Sequence, residues 1–204
     1  MSASARPVAV LFARADSVYK TLPGVDVYDA QRDARTYAGP WPVVAHPPCA
    51  RWSMLNAVVL SKYPHKSAEY AWGNDGGLFE FALATVRRFG GVLEHPAQSR
   101  AFRHYGLPFV GRGLDTFGGW SCEVKQVDWG HRAEKRTWLY IVGAGPDELP
   151  PRPATGNRPT ARVSRMATCG KCDLMGRAER EHTPRALAEW LLDLARRTQM
   201  EEPQ

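Results

Sequence analysis

Residues 43–49, Val43-Val44-Ala45-His46-Pro47-Pro48-Cys49, constrain the fold of this chain more than any other stretch. An apolar run that stops at two prolines and a cysteine fits a short buried strand, because proline cannot donate to a sheet ladder. Three more runs have the same character: Val8-Ala9-Val10-Leu11-Phe12, Val25-Asp26-Val27-Tyr28-Asp29 and Gly91-Val92-Leu93-Glu94. Helix signals lie between them. Asp16-Ser17 can cap a short helix that Pro23-Gly24 ends. Asn74-Asp75 precede the stripe Leu78, Phe79, Ala82, Val86 and Phe89, which Gly90-Gly91 closes. Alternation of this kind predicts an α/β fold with a doubly wound, mostly parallel sheet. In such sheets ligands collect at the carboxyl tips of the strands. The four strands are therefore expected to run parallel to tips at Phe12, Asp29, His46 and Glu94, with Cys49 and Glu94 facing one pocket.

The remainder reads as one domain over residues 1–204. At 204 residues and 44% hydrophobic the chain can bury a full core. Residues 50–73, with Trp52, Tyr63, Tyr70 and Trp72, read as a long loop beside a strand tip, and 97–120 as irregular chain with a short helix. Val124–Trp129 and Thr137–Val142 suit an antiparallel hairpin around a turn at 130–136. Residues 144–182 form a Pro-rich irregular insertion. Thr183 at the N-cap and Pro184 at the first helical position open a C-terminal helix over 183–198, with Leu187, Trp190, Leu191 and Leu194 facing inward.

A formal charge of +6 favours a polyanionic partner, though the basic residues are dispersed. No apolar stretch has the length of a membrane span, and the N-terminus lacks a signal-peptide core. Four cysteines without a secretory signal suggest a reducing, cytoplasmic setting in which disulfides are not expected.

Taken alone, Cys49 serves equally well as a nucleophile at a strand tip or as an inert buried thiol. Two further segments favour chemistry. Gly91-Val92-Leu93-Glu94-His95-Pro96 is a strand that ends in a carboxylate and a proline, and Gly130-His131-Arg132-Ala133-Glu134-Lys135-Arg136-Thr137-Trp138 is a basic turn feeding a strand. In this order, Pro-Pro-Cys, then Glu-x-Pro, then a basic strand, the chain resembles the cytosine-C5 DNA methyltransferases, and in particular a compact, phage-type branch with HPPC, ENP-like and KRT segments. The likeness covers about residues 8–143, more loosely the last helix.

The resemblance implies a class I methyltransferase-like (Rossmann-like) sheet with a terminal antiparallel hairpin, and S-adenosyl-L-methionine (SAM) as cofactor. It implies DNA or a free cytosine nucleotide as substrate, in the cytoplasm of a phage-infected or prophage-bearing bacterium. Cys49 would add to C6 of the pyrimidine. Glu94, kept protonated by burial, would hydrogen-bond N3, and Arg136 or Lys135 would supply a cationic field. Pro48, Trp52, His95 and Lys135 would contact the substrate. Phe12, Asp29, Pro47 and Thr183 would line the donor site, with Asp29 on the ribose hydroxyls. His46 and His95 flank the two motifs, where a hydrogen-bonded structural histidine is the plainer expectation.

Two features depart from that pattern, and a third segment raises a metal site. The first loop, Phe12-Ala13-Arg14-Ala15-Asp16-Ser17, has no glycine to let a cofactor approach the backbone. Residues 144–182 are too few for an ordinary base-reading domain. Cys169-Gly170-Lys171-Cys172 is a zinc half-site with only His182 and Cys122 to complete it, so zinc is not expected. These departures leave open a non-catalytic nucleic-acid-binding protein, or a pyrimidine-modifying enzyme with another donor.

Overall fold

The computed structural model describes residues 6–164 and 172–200. Its strands are β1 (Val8–Leu11), β2 (Val25–Val27), β3 (Val43–Ala45), β4 (Gly91–Pro96), β5 (Trp120–Lys125), β6 (Arg136–Val142), β7 (Ala161–Arg162) and β8 (Asp173–Leu174). Its α-helices are α1 (Leu55–Lys62), α2 (Leu78–Phe89), α3 (Arg100–His104), α4 (Arg177–Glu181) and α5 (Arg185–Arg197). The main sheet has the order β2-β1-β3-β4-β6-β5. β1 to β4 are parallel, as their near-continuous apolar sequences require, and β6 runs antiparallel to both β4 and β5. The expected parallel strands and terminal hairpin are therefore present. The hairpin's first strand lies earlier than expected, because Gln126–Trp129 turn into a 3₁₀ helix.

Side chains alternate across this sheet, and each face buries its own core. Val10, Val44, Val92, Leu139 and Ile141 pack with Leu187, Leu191 and Leu194 of α5. Ala9, Leu11, Val43, Ala45, Leu93 and Tyr140 pack with Phe79, Leu83 and Val86 of α2. Gly91 marks where strands meet most tightly. Its φ is 120°, and a Cβ there would lie 2.0 Å from the Val43 carbonyl oxygen.

Local readings differ from the sequence in three places. Residues 50–73 are not wholly loop: they contain α1, whose apolar residues do not segregate to one side, since Val58 is exposed while Asn56 is buried and donates to the Tyr70 carbonyl. The helical stripe that would have announced α1 is absent for that reason. The N-cap of α5 is Pro184, one residue later than expected, and Thr183 is no cap. The 144–182 insertion contains a small second sheet, β7 parallel to β8. Among the described residues no helix is long and apolar enough to cross a membrane.

Candidate active site

The carboxyl tips of β1, β3 and β4 and the start of β6 share one edge of the sheet, because β6 is antiparallel to β4 and pairs Pro96 with Thr137. The described non-glycine residues with left-handed backbone all lie there: Phe12 (φ 60°), Gln98 (φ 64°) and Lys135 (φ 37°). Left-handed backbone is costly for such side chains and concentrates at functional edges. Phe12 thus adopts without glycine the conformation that a glycine would have signalled.

Glu94 is the centre of this edge. Being even-numbered on β4, it faces the α5 side with Val92, while His95 faces the α2 side against Phe79, ring centroids 5.1 Å apart. His46 Nδ1 lies 3.0 Å from Glu94 Oε2, and His46 Nε2 lies 3.0 Å from the Tyr19 hydroxyl. On the other carboxylate oxygen, Gln126 Nε2 donates to Oε1 over 3.2 Å and also to Thr137 Oγ1 over 2.9 Å. His46 and Glu94 are each about one-seventh exposed, at 13% and 14% of the side chain. Burial alone would raise the Glu94 carboxyl. The His46 hydrogen bond and charge, with Lys135 and His95 behind them, outweigh it and hold the group down at about 2. The expectation of a Glu94 kept protonated by burial is corrected: in the free protein it is a carboxylate with donors on both oxygens.

Cys49 opens the turn after β3, its carbonyl accepting from Trp52 N (3.0 Å) and Ser53 N (2.8 Å). The thiol is a free one and partly buried. Burial raises it above the ordinary thiol value, the Glu94 charge raises it further, and Lys135 pulls it down. Cys49, Glu94 and Lys135 therefore share one electrostatic neighbourhood, and the resting sulfur is a thiol and not a thiolate.

Arg136 is not part of it. Register places Arg136 opposite Lys125, on the face away from Glu94, and its guanidinium is spent bidentately on Glu123, at 2.7 and 2.8 Å. The cation at this edge is its neighbour Lys135, because a one-residue step along a strand changes the face. Lys135 Nζ donates to the His182 carbonyl at 3.1 Å. Its burial lowers the amine, and Glu94, Cys49 and Glu181 offset part of that.

Other expected contacts divide. Trp52 is 3% exposed, donates to Asp75 Oδ2 at 2.7 Å and packs on Phe79, His104 and Tyr105, so it serves the core and offers no face to a base. Pro48 is exposed at the tip and Pro47 buried beneath it. His95 is wholly buried, neither ring nitrogen makes a hydrogen bond, and burial lowers it to about 4. The ring is packed out of solvent against Phe79 and presents no surface to a substrate in the free protein. Asp29 already has its oxygens engaged: Oδ2 with Lys20 Nζ at 2.5 Å, Oδ1 with the backbone N–H groups of Gln31 and Arg32. Within the first loop, Arg14 pairs with Asp16 and reaches Glu181. Thr183 follows directly on His182, whose carbonyl holds Lys135. Cys172 is disulfide-bonded, contrary to the expectation of reduced thiols, and Cys169 lies outside the described residues. No cluster of three or more potential metal ligands occurs among the described residues.

Tyr19 and Gln126 belong to the site and were not singled out from the sequence, and Thr137, a residue of the KRT segment, was given no role there. Tyr19 sits in a 3₁₀ turn after β1 and Gln126 in the turn after β5, and only strand register brings them to Glu94. A cavity of about 390 Å³ is lined by Trp129, His131, Met175, Glu179, His182 and Arg185 among others, and Cys49, Glu94 and Lys135 are not part of its lining. Compared with known proteins, the chain matches no family model and no curated sequence.

Proposed function

We propose that the protein is a pyrimidine-modifying enzyme of the cytosine-C5 methyltransferase kind. Cys49 adds to C6 of a cytosine ring, and a one-carbon group is then transferred to C5. The observation that carries the reading is the meeting of Cys49 after β3, Glu94 on β4 and Lys135 in the turn before the antiparallel β6 at one edge of the sheet, one thiol, one ionised carboxylate and one cation. Sulfur addition at C6 pushes electron density toward N3 and C5. A carboxylate at the N3 and N4 edge stabilises the protonated, amidine-like ring, and a lysine beside the sulfur favours its anion. Electrons from C5 then take the electrophile; loss of the C5 proton expels the thiolate and restores the ring. The antiparallel strand at the end of a parallel sheet suits a class I methyltransferase-like (Rossmann-like) fold.

Nucleic acid is the favoured carrier of the base. Immediately after Cys49, Lys62 and Lys66 lie over Tyr63 and Tyr70, and Arg100 of α3 lies over Trp72, at 3.6 Å. Cations interleaved with aromatics suit a phosphate backbone with unstacked bases, and a base reaching Cys49 must leave its helix.

SAM is the proposed donor by resemblance, yet the side chains at its expected site do not form a ready cradle. Both Asp29 oxygens are already hydrogen-bonded, and Arg14 of the first loop is held in ion pairs with Asp16 and Glu181. The chemistry assigned to Cys49 and Glu94 stands without it. This crowding favours a second reading, the same thiol addition with a different one-carbon donor. Mass spectrometry of nucleosides from cells expressing the protein tests both. A substituted cytosine that vanishes with Cys49→Ser supports the enzyme, and its mass names the group transferred. Unchanged cytosine in both would refute it and leave a nucleic-acid-binding protein.

A further inference from the structure

Glu94 is ionised when the site is empty, yet a cytosine presents a lone pair at N3, so a proton must arrive with the base or from the protein. Two carboxylate oxygens and a ring nitrogen lone pair are all acceptors. The group in contact with Glu94 that can hold a spare proton is His46, and what surrounds its other nitrogen decides whether it can.

The Glu94 carboxylate only accepts, so the proton on His46 facing it must be on Nδ1. The opposite nitrogen faces the Tyr19 hydroxyl, which both donates and accepts. When the imidazole is neutral, the tyrosine O–H donates to the Nε2 lone pair. When it is an imidazolium, Nε2–H donates to the tyrosine oxygen instead. Each state keeps both ring contacts, so one proton can be gained or lost without orphaning a buried polar atom. Tyr19 is 1% exposed and its own ionisation is pushed far up by burial, then by the Glu94 charge, so it turns its hydroxyl but does not give up its proton.

We propose that His46 is the positioning residue that stores and delivers the proton shared between Glu94 and a substrate ring nitrogen, with Tyr19 as the hinge that lets the imidazole change charge. The identity of the ligand rests on the cytosine reading; the relay does not. As the base binds, the neutral ring takes one proton from solvent at Nε2; in the delivery step the Nδ1–H bond of the resulting imidazolium breaks and an O–H bond forms on Glu94, giving neutral imidazole and neutral carboxyl with one proton taken up in all. That proton then lies against N3. The other charged and titratable groups bearing on Glu94 are Lys135 from the 130–136 turn, His95 from its own strand, and Cys49 from the turn after β3. None of them makes a hydrogen bond to the carboxylate that the structure records, whereas His46 does.

The relay is tested first without ligand, on the full chain, by nitrogen-15 NMR of the histidine rings. The neutral His46 ring is expected to carry its proton on Nδ1. A neutral ring protonated on Nε2 would overturn the relay. The second arm is calorimetry with cytidine 5′-monophosphate in buffers of different ionisation enthalpy, which counts protons taken up on binding. Wild type is expected to take up about one proton per ligand near neutral pH. His46→Asn keeps a donor toward Glu94 but cannot change charge, and Tyr19→Phe removes the hinge; both are expected to bind with uptake near zero. Equal uptake in wild type and both variants would overturn the proposal. If neither cytidine monophosphate nor a short single-stranded DNA containing one cytosine binds wild type, the cytosine reading is what fails, and the ring tautomer alone decides the relay.

Discussion

Replacing Glu94 with glutamine tests the electrostatics of the site through the stability of the whole protein. The carboxyl is held at about 2 against an ordinary 4.5, because His46, Lys135 and His95 together outweigh the cost of burial. A group whose folded-state value is depressed stabilises the fold above its unfolded value, and that contribution disappears as pH falls through the folded value. The difference corresponds to about 3 kcal/mol, present at pH 6, fading between about 4.5 and 2 and absent below. Glutamine also turns an amide N–H toward Gln126 or His46, a donor facing a donor, but that penalty does not depend on pH. Urea unfolding of wild type and Glu94→Gln, followed by circular dichroism from pH 7 to pH 2, should therefore show a gap that narrows by about 3 kcal/mol toward the acid end. A gap constant across that range would mean that Glu94 is not held ionised by its neighbours, and the reasoning from His46 outward would fall with it.

Alkylation of Cys49 by iodoacetamide should be slower at pH 7 than that of free cysteine and should rise with pH, since burial and then Glu94 push the thiol up. Lys135→Met should slow it further and Glu94→Gln speed it, while Arg136→Ala, on the other face, should leave it within about twofold; a Cys49 more reactive than free cysteine would contradict the site's electrostatics. Calorimetry with SAM or its demethylated product should show binding that Asp29→Ala abolishes and Lys20→Met strengthens roughly tenfold, because Lys20 competes for the same carboxylate; no binding with cytosine substrate present would remove SAM as the donor. Gly91→Ala should cost more than about 4 kcal/mol or prevent folding, through strained backbone and a clash with the Val43 carbonyl; thermal melting within a few degrees of wild type would refute the close approach.

The sequence by itself determined the sheet's parallel half. Val8–Leu11 and Val43–Ala45 are apolar throughout, so both faces had to be covered, and proline and glycine marked where those strands stop and start. It also placed Cys49 just beyond one strand and Glu94 near the end of another, although β4 runs on to Pro96, because chain punctuation is local and legible. It could not say which way the basic turn points. Lys135 and Arg136 are neighbours of like charge, and only the pairing of β6 with β4 and β5 sends Arg136 to Glu123 and leaves Lys135 beside the thiol. The same holds for the charge on Glu94. Burial, which the strand context foretold, argues for a neutral acid. His46, Gln126 and Tyr19 come from three separate turns, and their hydrogen bonds reverse the outcome. Trp52 failed in the opposite sense: a tryptophan in a polar segment reads as available, yet Asp75 and three aromatic rings close over it. Local sequence sets where a side chain starts; the partners that fix its charge and direction are long-range, and only the folded sheet supplies them.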